Sequence, residues 1–185
     1  MGEARPPRPF RYWDSKNSIH HEENAMALPL EDLELIKRLK YAYCRCIDTA
    51  NLAELKTLFT EDASVRYEGG SYLFEAQGRD KILEAIGYAF HADAIALHHV
   101  NHPEIDFQSP TEATGTWYLK DWFCDLKNKI YTDGSSLYRD TYVKVDGKWL
   151  IKRATYSRIF EIVTPFTEPP NITAHYLAKH GVKHP

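Results

Sequence analysis

Four polar residues stand where the periodicity of the chain asks for apolar ones: Tyr43, Asp48, His98 and Asp121. Tyr43 falls within a helical stripe of Leu33, Ile36, Leu39, Cys46 and Ile47, and Asp48 closes the same segment at the edge of that stripe. His98 shares an alternating face with Ala96 and Val100. Asp121 shares one with Trp117, Leu119 and Phe123 that is otherwise wholly apolar. A carboxylate on such a face is costly unless a partner holds it, and a histidine facing the same space has the right chemistry to be that partner. Together these types suit the loss of water from a carbon skeleton. His98 would be the base for an acidic C–H, because imidazole exchanges protons near neutral pH. Asp48 would orient the ring and stabilise its charged form, and Tyr43 would donate to the developing enolate. Asp121 would steer or protonate the departing hydroxyl, and no metal or other cofactor is required.

Each residue also has a plain structural reading. His98 reads as a satisfied core histidine, Tyr43 as a core ring whose hydroxyl reaches the surface, and Asp48 as a helix-end residue. Asp121 fits such a reading worst, because its neighbours on the same face are large and apolar. Its removal should cost little stability in a catalytic pocket, whereas in a passive binding cup a structural partner would hold it and its loss should destabilise the fold by about 1–3 kcal/mol.

The elements that must position these groups follow from the pattern. A helix is predicted from Leu30 to Thr49, with Glu31 and Asp32 favouring its first turn, and a shorter one over Leu52–Phe59. Two short strand-like runs, Ala63–Tyr67 and Tyr72–Ala76, flank Gly69-Gly70 as a hairpin. Gly78-Arg79-Asp80 opens a third helix with Ile82, Leu83, Ile86 and Phe90 on its apolar side. Long strands then follow near Ile95–Phe107, Glu112–Asp125, Ile130–Val145 and Lys148–Val163, the last two joined at Asp146-Gly147. Helices first and antiparallel strands afterwards indicate α+β. The expected architecture is a cone-shaped barrel of a curved, mostly antiparallel sheet closed by about three helices over an apolar pocket. Residues 1–28 read as an irregular arm with Phe10, Tyr12 and Trp13 for docking, 29–165 as the domain, and 166–185 as a tail packing on the domain or a neighbouring subunit. Ala174–Lys179 reads as a short helix within that tail.

Composition narrows the function classes. With 185 residues, 43% of them hydrophobic and 26% charged, the chain is that of a globular domain. A formal charge of −3 gives no basic field for nucleic acid and no polybasic membrane anchor. Cys44, Cys46 and Cys124 lack the spacing of a disulfide framework, a zinc knuckle or a redox motif. No signal peptide or membrane-length apolar run is apparent, so a cytoplasmic address is the expectation. His91 and His102 with His98 lack supporting carboxylate spacing for a metal site. Asn171-Ile172-Thr173 is a glycosylation sequon without consequence in a cytosolic chain.

Several motifs carry a family resemblance. The runs Lys40-Tyr41-Ala42-Tyr43-Cys44-Arg45-Cys46-Ile47-Asp48, Leu58-Phe59-Thr60-Glu61-Asp62-Ala63 and Gly78-Arg79-Asp80-Lys81-Ile82 resemble the opening of SnoaL-like proteins of the nuclear-transport-factor-like superfamily. So do His98-His99-Val100-Asn101-His102-Pro103-Glu104-Ile105, Ala113-Thr114-Gly115-Thr116-Trp117-Tyr118-Leu119-Lys120-Asp121 and Tyr138-Arg139-Asp140-Thr141-Tyr142. The resemblance covers roughly Leu30–Pro165 in the right order, and within the group it is greatest to the bile acid 7α-dehydratases. Their functional positions match Tyr43, Asp48, His98 and Asp121. Lindane dehydrochlorinases share the Asp48 and His98 positions but carry lysine in place of Tyr43, which counts against halide elimination.

The resemblance implies a dehydratase for a hydrophobic hydroxylated substrate, steroid-like, free or as a coenzyme A thioester. Trp117, Leu119, Phe123 and Arg158 are the expected substrate contacts, although Arg158 and Arg153 also suit salt bridges at a strand edge. The alternatives are an isomerase or cyclase using the same enolate, and a non-catalytic small-molecule-binding module. Because the dehydratase relatives are trimers, a homotrimer is expected, with a dimer as runner-up. An outer face carrying Tyr118, Trp122, Tyr138 and Tyr142 would be covered by that assembly.

Overall fold

The computed structural model describes residues 29–70 and 72–183. The arm read from residues 1–28, with Phe10, Tyr12 and Trp13, lies outside the described residues. In chain order come α1 (Leu30–Asp48), α2 (Leu52–Lys56), β1 (Phe59–Glu68), β2 (Leu73–Gln77) and α3 (Arg79–Ala89). There follow β3 (Ala94–Ser109), β4 (Glu112–Asp125), β5 (Ile130–Val145), β6 (Lys148–Pro165) and α4 (Leu177–His180). Among the described residues the strands form one six-stranded sheet in the order β2-β1-β6-β5-β4-β3. Every neighbouring pair is antiparallel except β1 and β6, which run parallel. The class is α+β as expected, but the sheet is mixed and open instead of a closed cone. The chain returns β6 alongside β1, so β2 and β3 are left as the two edges.

Local chemistry explains the elements. The stripe of α1 buries Ile36, Leu39, Tyr43, Cys46 and Ile47 against the sheet. Glu31 and Asp32 complement the positive end of its dipole. Asp32 also accepts from Lys144 Nζ at 2.7 Å and Trp149 Nε1 at 2.9 Å, which pins the start of α1 to β5 and β6. Asn51 caps α2 by accepting from the backbone N–H of Glu54. At the β5–β6 turn Asp146 and Gly147 have φ of 49° and 78°, the left-handed pair that a two-residue hairpin demands.

Register decides which side chains face the helices. Across β4 and β5, Trp117 pairs with Tyr138 and Ala113 with Tyr142, without a bulge. Tyr138 and Tyr142 therefore join the inner face and are fully buried, contrary to their expected place on the outer surface. Alternation in β5 is ambiguous because Asp140 lies between the two tyrosines on the same face; that charge is hidden, not solvated. The outer face keeps Tyr118 of β4 and Leu97 of β3 exposed, with Phe160 and Ile162 exposed on β6.

The tail lies along the domain. Phe166 N–H donates to Lys129 O, His175 Nε2 contacts Ala94 O at 3.0 Å, and Ala92 N–H donates to Val182 O. Leu177 of α4 is buried. Among the described residues no helix is long and apolar enough to cross a membrane.

Candidate active site

A cavity of about 750 Å³ lies between α1, α3 and the inner face of the sheet. Its apolar wall includes Ile47, Phe74, Phe90 and Phe123, and its polar lining includes His98, Asp121 and Arg158 with several tyrosines. Apolar walls with a few convergent polar groups, at this volume, suit an organic ligand of drug size.

The end of α1 meets edge strand β3 at this wall. Asp48, the last residue of α1, accepts from His98 twice: from the backbone N–H at 3.0 Å and from the ring Nδ1 at 2.6 Å. A carboxylate can only accept from Nδ1–H, so the proton of the neutral ring is fixed there and Nε2 is left as the basic atom. Phe90 packs against the imidazole with ring centres 5.7 Å apart. The His98 side chain is 12% exposed and that of Asp48 20%, so the pair is sheltered but not sealed from water. His99 points to the opposite side of β3 and is exposed.

Asp121 lies opposite His98 in the β3–β4 register. Its partner is Arg158, whose Nη1 donates to Asp121 Oδ1 at 2.5 Å and to Ser136 Oγ at 3.2 Å, while Nε donates to Glu161 at 3.0 Å. Burial alone would pull the Arg158 guanidinium down, but the hydrogen bond and charge of Asp121 outweigh it and hold it above the usual arginine range. Space for this cation comes from Gly134, which pairs with Asp121 across β4 and β5. A Cβ there would sit 2.5 Å from Arg158 Nη1 and 3.2 Å from the carbonyl oxygen of Phe160.

Tyrosines make the third group. The Tyr43 hydroxyl is 2.6 Å from that of Tyr67 and 3.5 Å from that of Tyr138. Tyr67 stacks on Tyr156 with ring centres 4.7 Å apart, and the Tyr156 hydroxyl meets that of Tyr72. Burial pushes the phenols of Tyr43, Tyr67 and Tyr138 well above the ordinary tyrosine range, so each is a neutral group able to donate.

Tyr43, His98, Asp121, Phe123 and Arg158 thus line one cavity, with Asp48 directly behind His98. Trp117 and Leu119 do not line it. Both are buried in the core, and Trp117 Nε1 donates to the Tyr142 hydroxyl at 2.8 Å. They share the inner face of β4 with Asp121, but the body of α1 covers their end of the strand, with Tyr41 packed against Trp117. Arg158 arrives already engaged by two carboxylates, which makes it a partner of Asp121 before it is a receptor for a substrate anion. Among the described residues no three His, Cys, Asp or Glu side chains converge as a metal set. Sequence reasoning missed Tyr67, Tyr72 and Tyr156 on the wall, and a buried Lys40–Asp140 pair behind it. Asp140 carried the same signal as Asp121, a carboxylate between large hydrophobic residues of one strand face.

Comparisons with known proteins agree with this architecture. The sequence model of a family described as a SnoaL-like domain matches residues 29–155. A structure from Novosphingobium aromaticivorans, provisionally named a scytalone dehydratase, is 32% identical; the match covers 76% of this chain and 91% of that one, with a TM-score of 0.62. A second protein from the same organism, provisionally named an aromatic ring hydroxylase, is 20% identical over 75% of this chain and 96% of that one, with a TM-score of 0.66. Hexachlorocyclohexane dehydrochlorinase LinA-type3 from Novosphingobium barchaimii is 16% identical over 76% and 97%, with a TM-score of 0.64. At those lower identities the likeness is one of fold.

Proposed function

The chain belongs to the SnoaL-like family, and from that premise we propose that it is a lyase of the dehydratase type. In this reading it eliminates water from a hydrophobic hydroxylated ketone or thioester with its own side chains as acid and base. The single observation that carries the reading is the Asp48–His98 contact of 2.6 Å at the wall of a large apolar cavity. It is joined by the provisional dehydratase name of the relative at 32% identity.

His98 Nε2 takes the proton from the carbon next to the carbonyl, and Asp48 supports the imidazolium that results. The carbonyl oxygen gains the negative charge, and Tyr43, backed by Tyr67 and Tyr138, donates to it. The Asp121–Arg158 pair accepts a hydrogen bond from the leaving hydroxyl and steers it. As the C–O bond breaks, imidazolium returns its proton to the departing oxygen. One water leaves, a conjugated double bond remains, and His98 is neutral again. With Arg158 already donating to it, Asp121 suits the steering role better than that of the proton donor.

A flat polycyclic frame such as a steroid suits the aromatic wall, and the bile acid dehydratase likeness of Tyr43, Asp48, His98 and Asp121 points the same way. The proposed assembly is a homotrimer in which the outer aromatic face is covered. The test is incubation with a panel of hydroxysteroid ketones and β-hydroxy ketones, free and as thioesters. Loss of the mass of water together with new enone absorbance is the expected result. Unchanged mass with a shifted double bond would indicate the isomerase alternative. Saturable binding across the panel with no turnover would indicate a binding module.

A further inference from the structure

Behind the phenols lies a buried ion pair for which the acid–base reading has no task. Lys40 Nζ stands 2.8 Å from Asp140 Oδ2, and neither side chain reaches solvent. The approach is off the direction that a hydrogen bond prefers, and Asp140 Oδ1 has no hydrogen-bond partner among the described residues. Asp140 Oδ2 instead accepts from the Tyr142 hydroxyl at 2.8 Å, which in turn accepts from Trp117 Nε1. Fully buried pairs are poor sources of stability, because desolvating two charges offsets their attraction. What the lysine faces is aromatic. Its Nζ lies 3.3 Å from the ring centre of Tyr138 and 4.6 Å from that of Tyr43. The hydroxyls of these two rings are 3.5 Å apart, and both residues line the cavity.

We propose that Lys40 is a positioning residue for the oxyanion donors: its ammonium, seated against the rings of Tyr138 and Tyr43, strengthens their O–H groups as donors to an oxygen-centred anion in the cavity. A cation on a ring face is attracted by the negative face of the π-system, and more strongly where both are desolvated. When a phenol donates to an anion, electron density shifts into its ring and the attraction to the cation grows. The interaction is therefore greater when negative charge is present, which is the condition for helping a transition state and not merely binding a ground state. Asp140, held by Tyr142 and Trp117, fixes the ammonium in place from the other side. The ligand class that follows is an enolate or phenolate on a flat apolar frame. This rests on the reading of Tyr43 as the donor to an enolate.

Binding separates the two ideas better than turnover does. The probes are 4-nitro-1-naphthol, at a pH where it is ionised, and its neutral methyl ether, 1-methoxy-4-nitronaphthalene. Each is titrated calorimetrically into wild type, Lys40→Met/Asp140→Asn, Tyr138→Phe and the triple variant. The double variant removes both charges, while the amide oxygen that replaces the carboxylate still accepts from Tyr142. Wild type should prefer the anion to the ether, and the double variant should lose about threefold to thirtyfold of that preference, the range of a desolvated cation–π contact. Its affinity for the ether should be unchanged, whereas a purely structural role would lower both affinities alike. In the Tyr138→Phe background the same change should have a smaller effect, since one of the hydroxyls it acts through is gone. Should the double variant fail to fold, the amide pair Lys40→Gln/Asp140→Asn carries the same comparison. A folded variant with the wild-type preference intact overturns the role of Lys40 alone. A wild type that shows no preference for the anion overturns the phenol donors as well.

Discussion

Replacing Asp48 by asparagine keeps the shape of the side chain and removes its charge. The carboxylate accepts on both sides, from the backbone N–H of His98 at 3.0 Å and from its Nδ1 at 2.6 Å. An amide has one accepting atom. If it serves the backbone N–H, the amide N–H points at Nδ1 and the ring must carry its proton on Nε2, facing the substrate. If it turns round, two donors confront each other at the backbone. The first arrangement costs less, so the variant folds with the base in the wrong tautomer. The rate should then fall roughly 10²- to 10⁴-fold, the usual range for losing a positioned base or its orienting carboxylate. That is about 3–5 kcal/mol of barrier. Stability should fall by only about 1 kcal/mol, because the partly exposed pair leaves water available to replace the lost bond. The assay is the initial rate of enone absorbance, read beside a thermal melt and the ¹⁵N shifts of the His98 ring. A folded Asp48→Asn protein working within threefold of wild type, or one with its proton still on Nδ1, would refute the assignment.

Four further outcomes are expected. Gly134→Ala should displace Arg158 and weaken its hold on Asp121, lowering both the rate and the melting temperature; an unchanged melt would mean that the cation has another place to go. Asp121→Ala should destabilise the fold by about 2–4 kcal/mol in a denaturant titration, since it strands a buried guanidinium that retains Glu161. A small cost was expected of a catalytic pocket and a larger one, through a structural partner, of a passive cup. Arg158 is such a partner, so the larger cost is expected under either reading and turnover, not the melt, separates them. Tyr43→Phe should lower the rate about a hundredfold with little change in KM, because one of several donors to the growing charge is lost. Lys144 and Trp149 hold the Asp32 carboxyl below its ordinary value of 3.8. Its contribution is therefore complete above that value and lost as pH falls through the lower folded one, so Asp32→Asn should flatten the decline of melting temperature on the acid side.

The fold was legible because its signals are local. The stripe of α1, the Asp146-Gly147 turn and the long alternating strands all declare themselves within a dozen residues. The parallel β1–β6 pairing joins segments some ninety residues apart, with register contacts such as Tyr67 to Tyr156 that no nearby residue announces. Closure into a barrel would need the two edges, β2 and β3, to pair, and nothing local in the sequence says whether they do; the edges stay apart and the sheet is open. At the site, Asp48, His98, Tyr43 and Asp121 were legible as polar interruptions of apolar patterns. Lys40 was not, since a lysine on a helix reads as solvated and only the position of β5 shows that its end is buried. Trp117 and Leu119 were misplaced for a related reason: alternation gives the face of a strand, not whether helix or cavity covers that stretch of it.

The bond from the backbone of His98 to Asp48 has a second consequence, for association between chains. β3 is an edge of the sheet, and its outward N–H groups are open templates for another strand. Asp48 occupies one of them near the strand's start and places a negative charge beside it. In the proposed reading, association between chains and turnover would therefore both depend on one carboxylate. A library screened for soluble expression would retain Asp48 even in clones that have no substrate to act on, and its presence among selected sequences would not by itself report catalysis.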